Sequence, residues 1–169
     1  MVSTDSYPFD IRPVTENEMD AILEVYRQCE DFLALGPEPQ VSVAMVLRDL
    51  QTSKEQGGLY CGIYTRDGQI VGVLEYVPHT FKGNPSCAFV ELLMIARPFR
   101  GKGLGRDVVH WLEGTVCLNP RVTTILTAVQ VNNSAALGFW QRNGFAILSE
   151  AALQDDGTTT VVLRKEIGK

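Results

Sequence analysis

The segment from Cys87 to Val116 restricts the possible folds more than any other part of the chain. Cys87 to Ile95 is almost wholly apolar, with Glu91 its one charged residue. A short run of this kind suits a central strand covered on both faces of a sheet. Arg100-Gly101-Lys102-Gly103-Leu104-Gly105 follows, and Leu104, Val108, Leu112 and Val116 then recur at helical spacing. Buried strand, glycine-rich turn and amphipathic helix in succession call for a sheet with helices packed on it.

The flanking sequence supplies the rest of such a sheet. Phe9 to Val14 reads as a short strand, and Thr15-Glu16-Asn17-Glu18 has the pattern of a capping box. Met19, Ile22, Leu23 and Tyr26 then form one helix face, which Gly36-Pro37-Glu38-Pro39 ends. Val43, Val46, Leu47 and Leu50 mark a second helix. Leu59 to Thr65 and Gln69 to Val77 are rich in strand formers, with the turn pair Asp67-Gly68 between them. Val122 to Val131 is a further strand. Asn132-Asn133-Ser134 offers caps for a fourth helix, and Gly144 suits its end. Phe145 to Leu148 and Thr158 to Arg164 close the sheet. The predicted order is βααβββαβαββ, a mixed α/β fold with about four helices. No linker or repeat divides the 169 residues, so 1–169 is expected to be one domain.

Charge and cysteine usage exclude several functions. Fifteen basic residues against twenty acidic ones, a net charge of -5, give no general attraction for polyanions, so nucleic acid is not an expected partner. Cys29, Cys61, Cys87 and Cys117 form no C-x-x-C pair, and His79 and His110 are not placed with them. Metal-site spacing is therefore absent, and scattered thiols suit a reducing compartment. No apolar run approaches the roughly 20 residues of a membrane span. Met1 to Ser6 lacks the charged-then-apolar pattern of a signal peptide. A cytoplasmic protein without metal or membrane contact is expected.

The glycine loop has the chemistry of an anion cradle. Glycines let the backbone approach a ligand closely, and the free amides of a helix start point at negative charge. Lys102 and Arg106 add positive charge. A Walker loop would end in Gly-Lys-Ser/Thr, and a dinucleotide loop would need a third glycine where Arg106 stands. The same residues would also serve as a plain strand-to-helix turn with solvated basic side chains.

Arg100-x-x-Gly103-x-Gly105 resembles the Gln/Arg-x-x-Gly-x-Gly/Ala signature of the GNAT superfamily of acyl-CoA-dependent N-acetyltransferases. Ile95 to Arg100 resembles that family's strand exit. Asn133-Ser134-Ala135-Ala136-Leu137-Gly138-Phe139-Trp140-Gln141-Arg142-Asn143-Gly144-Phe145 resembles its N-x-x-A-x-x-F-Y-x-x-x-G-F helix. The resemblance implies a mostly antiparallel sheet whose two central strands splay apart around the pantetheine arm of acetyl-CoA, the co-substrate. By position it assigns Leu93, Met94 and Ile95 to the pantetheine. It gives Arg100, Gly101, Lys102, Gly103, Leu104, Gly105 and Arg106 to the pyrophosphate, and Asn133, Ala136 and Trp140 to the cofactor side of the fourth helix. It also implies an amine acceptor, small molecule or peptide, walled by Cys29 to Glu38. The acidic residues of that segment suit a cationic amine or a solvated turn. A homodimer is a further implication.

Glu91 is the expected general base, since burial raises a carboxylate pKa towards neutrality. Alternation would put it on one face with Phe89, Leu93 and Ile95. A salt-bridged structural role would explain it equally, and Glu75 and His79 are weaker base candidates. A backbone amide near Leu93 is implied as the oxyanion donor. Trp140 departs from the family, because an indole N–H cannot supply the proton that the usual Tyr gives to the leaving thiolate. Tyr26, Tyr60, Tyr64 and Tyr76 are possible substitutes. The alternative to an enzyme is a non-catalytic acyl-CoA-binding or regulatory domain.

Overall fold

In the computed structural model, which describes residues 6–168, the elements run β1 (Phe9–Pro13), α1 (Met19–Arg27), α2 (Glu30–Leu33), α3 (Val43–Glu55), β2 (Leu59–Thr65) and β3 (Ile70–Val77). They continue with β4 (Cys87–Ile95), α4 (Leu104–Val116), β5 (Thr124–Gln130), α5 (Ser134–Arg142), β6 (Ala146–Ile147), β7 (Ala152–Leu153) and β8 (Thr159–Glu166). The first expected helix is divided. It ends at Arg27, and α2 is a separate turn. Strand β7, missed in the sequence, pairs with β8 through Ala152 and Leu153. Two residues are too few to show periodicity. The Thr15 backbone N–H and hydroxyl both donate to the Glu18 carboxylate at 2.7 and 3.0 Å, so the capping pair forms at a short 3₁₀ turn before α1.

The sheet has the order β1-β2-β3-β4-β5-β8-β6. Only β4 and β5 run parallel, as a crossover through α4 requires. One core joins α4 and α5 to the sheet through Trp111, Leu112, Tyr76, Val90 and Ile125. The other packs α1 and α3 on the opposite face through Ile22, Tyr26, Val46, Val73 and Met94. Helix α3 turns differently from the expected face. Met45, Val46 and Ser53 are buried, whereas Val43 and Leu47 are exposed.

Two irregularities meet at the middle of β4. Pairing with β5 stops at the rung Val90–Thr127, where the buried Thr127 hydroxyl donates to the Val90 carbonyl at 3.1 Å. Beyond that rung the two strands part. Pairing with β3 runs Tyr76–Val90 and then Glu75–Leu92, which leaves Glu91 as the extra residue of a bulge. The bulge breaks alternation and overturns the face expected for Glu91. Ala88, Val90, Leu93 and Ile95 share the α4/α5 side, and Leu92 and Met94 pack on the other core.

Candidate active site

The cradle is built where β4 hands over to α4. Gly103, the residue that caps α4, has φ 84°, and Gly101 has φ 72°, a region that L side chains rarely adopt. Gly105 serves another purpose. A Cβ there would lie 3.1 Å from a ring carbon of Phe139, so the glycine lets the start of α4 press on α5. The first amides of α4 have no intrahelical partner. They open on a cleft of about 920 Å³, lined by the end of β4 past its last rung with β5, by the loop before α4 and by α5.

Its walls gather nearly all the residues assigned to a cofactor. Leu93, Met94 and Ile95 line it from β4. Arg100, Gly101, Gly103, Leu104, Gly105 and Arg106 line it from the loop, and Asn133, Ala136 and Trp140 from α5. Lys102 is exposed and not part of the lining. Asn133 is buried and its Oδ1 accepts from Ala136 N at 3.0 Å, capping α5. Trp140 is buried edge-on against Phe139 and Phe145, with centroids 5.2 and 4.9 Å apart. The cleft suits a long ligand with an anionic head. The α4 amides and the basic Arg106 stand at one end of the cleft, and the edge of β4 that β5 leaves unpaired runs along the other.

Four tyrosines were candidates to replace the missing acid, and none lines this cleft. Tyr26 donates to Asp49 Oδ2 at 2.7 Å and shares a 2.7 Å hydrogen bond with Tyr60. Tyr64 donates to Glu18 at 3.0 Å. Tyr76 is buried in the α4/α5 core. Burial pushes all four hydroxyls upward in pKa.

The carboxylates lie on the α1/α3 face. Tyr60, Glu75 and Leu92 stand opposite one another on β2, β3 and β4, with the bulged Glu91 beside them. Asp49 and Ser53, one turn apart on α3, cover this row from above. Glu75 is only 4% exposed, and its pKa is raised to about 8. Burial is the main cause, the charges of Glu91 and Asp49 add to it, and the Ser53 hydroxyl opposes it. Ser53 Oγ itself makes no well-formed hydrogen bond. Glu91 is reached by solvent but sits in a recess. Its pKa is raised by partial desolvation first and by Asp49 second, with Lys82 opposing. Asp49 had no signal in the sequence, being one acid on an amphipathic helix. His79 is exposed and bonded to Thr80 Oγ1 at 2.9 Å.

Cys29, Asp31, Phe32 and Leu35 form a further wall of the same cleft. Two of the three acids from Cys29 to Glu38 are engaged in ion pairs, and the third, Glu30, is exposed. Asp31 pairs with Arg100 at 2.7 Å and lies 3.8 Å from Arg97, and Glu38 pairs with Arg48 at 2.6 Å. Among the described residues no group of three or more His, Cys, Asp or Glu could hold a metal ion, and no helix is long and apolar enough to cross a membrane.

The fold is that of known acetyltransferases. An acetyltransferase from Thermus thermophilus superposes with a TM-score of 0.77 at 23% identity, over 94% of this chain and 96% of that one. An acetyltransferase of Salmonella typhimurium that modifies the N-terminal serine of ribosomal protein L7/L12 gives 0.75 at 14%, over 96% of each chain. A phosphinothricin acetyltransferase from Sinorhizobium meliloti, solved with acetyl-CoA, gives 0.69 at 15%, over 95% of this chain and 89% of that one. Residues 19–145 match the model of the acetyltransferase (GNAT) family, and the chain belongs to that family. Membership supports acyltransferase activity. No curated protein sequence matches the chain significantly.

Proposed function

We propose that the protein transfers the acetyl group of acetyl-CoA to the primary amine of a small molecule or peptide. The observation that carries this reading is the fork. A glycine cradle, a bare strand edge and a capped helix start face one gap, and Glu91 and Glu75 stand at the β4 bulge that precedes it, outside the lining of the cleft itself. The cradle fits a pyrophosphate, because side chains at Gly101 and Gly103 would be strained and the helix amides are donors. Acetyl-CoA would supply the acetyl group as an activated thioester. Leu93 to Ile95 would run along its pantetheine, a backbone amide near Leu93 would donate to the developing oxyanion, and Trp140 would pack beside the thiol.

Glu91 takes the proton of the incoming amine. A lysine-like amine has a pKa about 3.4 units above pH 7, so deprotonation costs about 4–5 kcal/mol. A carboxylate whose pKa is raised towards neutrality relays that proton at small further cost. Glu75 is the more deeply buried of the two and is pushed up to about 8, whereas Glu91 is reached by solvent and can meet the amine. With no tyrosine at the cleft, solvent protonates the departing thiolate. The relatives modify acceptors as different as a ribosomal protein's N-terminal serine and phosphinothricin. The acceptor here is therefore defined by its amine alone. A cytoplasmic homodimer completes the reading.

CoA release measured with acetyl-CoA and a panel of amines, amino acids and peptides tests the proposal. Turnover with at least one amine is expected. Tight acetyl-CoA binding without turnover on any of them would favour a binding or regulatory domain, the reading that Trp140 leaves open.

A further inference from the structure

The residue that opens the glycine signature is turned away from the cradle. Arg100 Nε donates to the Ile95 carbonyl at 2.7 Å, at the exit of β4. Its two terminal nitrogens donate to Asp31 Oδ2 at 2.7 Å and Oδ1 at 3.2 Å, and one also reaches the Gln28 carbonyl at 3.3 Å. A guanidinium has five N–H donors in a rigid fork, and these contacts use four of them. Little is left for a phosphate.

The partners of Arg100 lie on the stretch that forms α2. That helix has a single turn and no fully buried side chain, so neither intrinsic helicity nor packing holds it firmly. It is tied at both ends instead. Arg100 holds its start, and Asn132 Nδ2 donates to the Leu35 carbonyl at 3.1 Å just past its end. Both ties come from the cofactor side of the cleft, one from the loop before α4 and the other from the loop before α5. Cys29, Asp31, Phe32 and Leu35 present this stretch to the cleft opposite the α4 cradle. On the acetyltransferase reading, an amine bound for Glu91 on the α1/α3 face would meet this wall.

We propose that Arg100 is a positioning residue that fastens the α2 wall to the exit of β4, so that the cofactor loops set the shape of the acceptor entrance. The role in acceptor positioning rests on the acetyltransferase reading, whereas the fastening of α2 stands without it. The Asp31 carboxyl is held below its usual range, chiefly by the Arg100 hydrogen bond, which agrees with a pair ionised throughout the working pH range. Asp31 is about half exposed, so the tie is of modest strength and its rupture loosens α2 without unfolding the domain.

The test uses Arg100→Gln, Asp31→Asn and the double variant of the full chain, with Arg100→Lys as the conservative control. Amide hydrogen exchange is followed in Phe32 to Leu35, acetyl-CoA affinity is measured by calorimetry, and acceptor KM is measured with the best amine of the panel. Each single variant should speed exchange in α2 by roughly 3- to 10-fold, with unchanged protection in α4 and β4. The double variant should add little to either single one, since both remove the same tie. Acceptor KM should rise by a similar factor while acetyl-CoA affinity changes less than about twofold, and Arg100→Lys should lie between wild type and Arg100→Gln. Unchanged α2 exchange in both single variants would overturn the proposal. So would a tenfold loss of acetyl-CoA affinity in Arg100→Gln alone, which would make Arg100 a phosphate ligand. If the wild type turns over no amine, the acetyltransferase reading fails separately, and the exchange measurement still decides the fastening.

Discussion

On the proposed reading Glu91 is the base, and it stands beside the more deeply buried Glu75. Burial first, and the charges of Glu91 and Asp49 after it, push Glu75 up to about 8. Glu91→Gln should therefore lower kcat by roughly 10²–10⁴ at pH 7, with acetyl-CoA affinity nearly unchanged. The loss should shrink at high pH, where the amine arrives neutral. A folded variant with wild-type kcat at pH 7 would remove Glu91 from the mechanism. Glu75 makes a separate prediction about stability. Its pKa is about 8 in the fold and about 4.5 in the unfolded chain, so the folded state binds the proton more tightly. As pH rises from about 4.5, the unfolded chain releases its proton first and stability falls, levelling off above about 8. Glu75→Gln removes that slope. It should match wild type near pH 4 and exceed it at pH 8.5 by roughly 2–5 kcal/mol, as read from urea unfolding at the two pH values. Equal slopes in the two proteins would show that Glu75 is ionised at neutral pH.

At the scale of elements, legibility depended on how much sequence each feature occupies. The limits of β4, α4 and α5 could be read off, because an apolar run, a glycine turn and an Asn cap each mark a boundary. The bulge could not. One extra residue in β4 leaves no trace in composition, yet it moves Glu91 from the α4/α5 face to the α1/α3 face. The break between α1 and α2 falls at Gln28 and Cys29, which carry no stop signal, and α2 holds the wall of the cleft. Asp49 thus came from packing, the wall of Cys29 to Glu38 from the family resemblance, and the cradle from local chemistry. The cradle gives the test at this scale. Gly103→Val places a β-branched side chain at φ 84°, where an L residue costs about 1–2 kcal/mol, and crowds the Arg106 guanidinium, 3.1 Å from the new Cβ. Acetyl-CoA affinity measured by calorimetry should fall at least tenfold while the protein stays folded. Unchanged affinity would place the pyrophosphate elsewhere.

Across the whole molecule, two cores clamp the sheet from both faces, and part of the apolar surface left exposed lies where the sheet ends. Ile147, Leu148 and Leu153 are 51%, 53% and 75% exposed, on and beside the short strands β6 and β7. Strand β6 bonds to β8, and its outer edge has no strand beside it among the described residues. An apolar sheet edge in water invites a second strand. A second copy of the chain would cover it through a symmetric contact, the commonest kind in oligomers. Light scattering should therefore give about twice the chain mass of 18.7 kDa at micromolar concentration. Leu153→Lys should shift the protein towards the monomer with little change in melting temperature at low concentration, because the side chain has few contacts within its own chain. Acetyl-CoA binding should survive the change, since Leu153 lies outside the lining of the cleft. A single-chain mass for the wild type at high concentration would show that this edge stays in water.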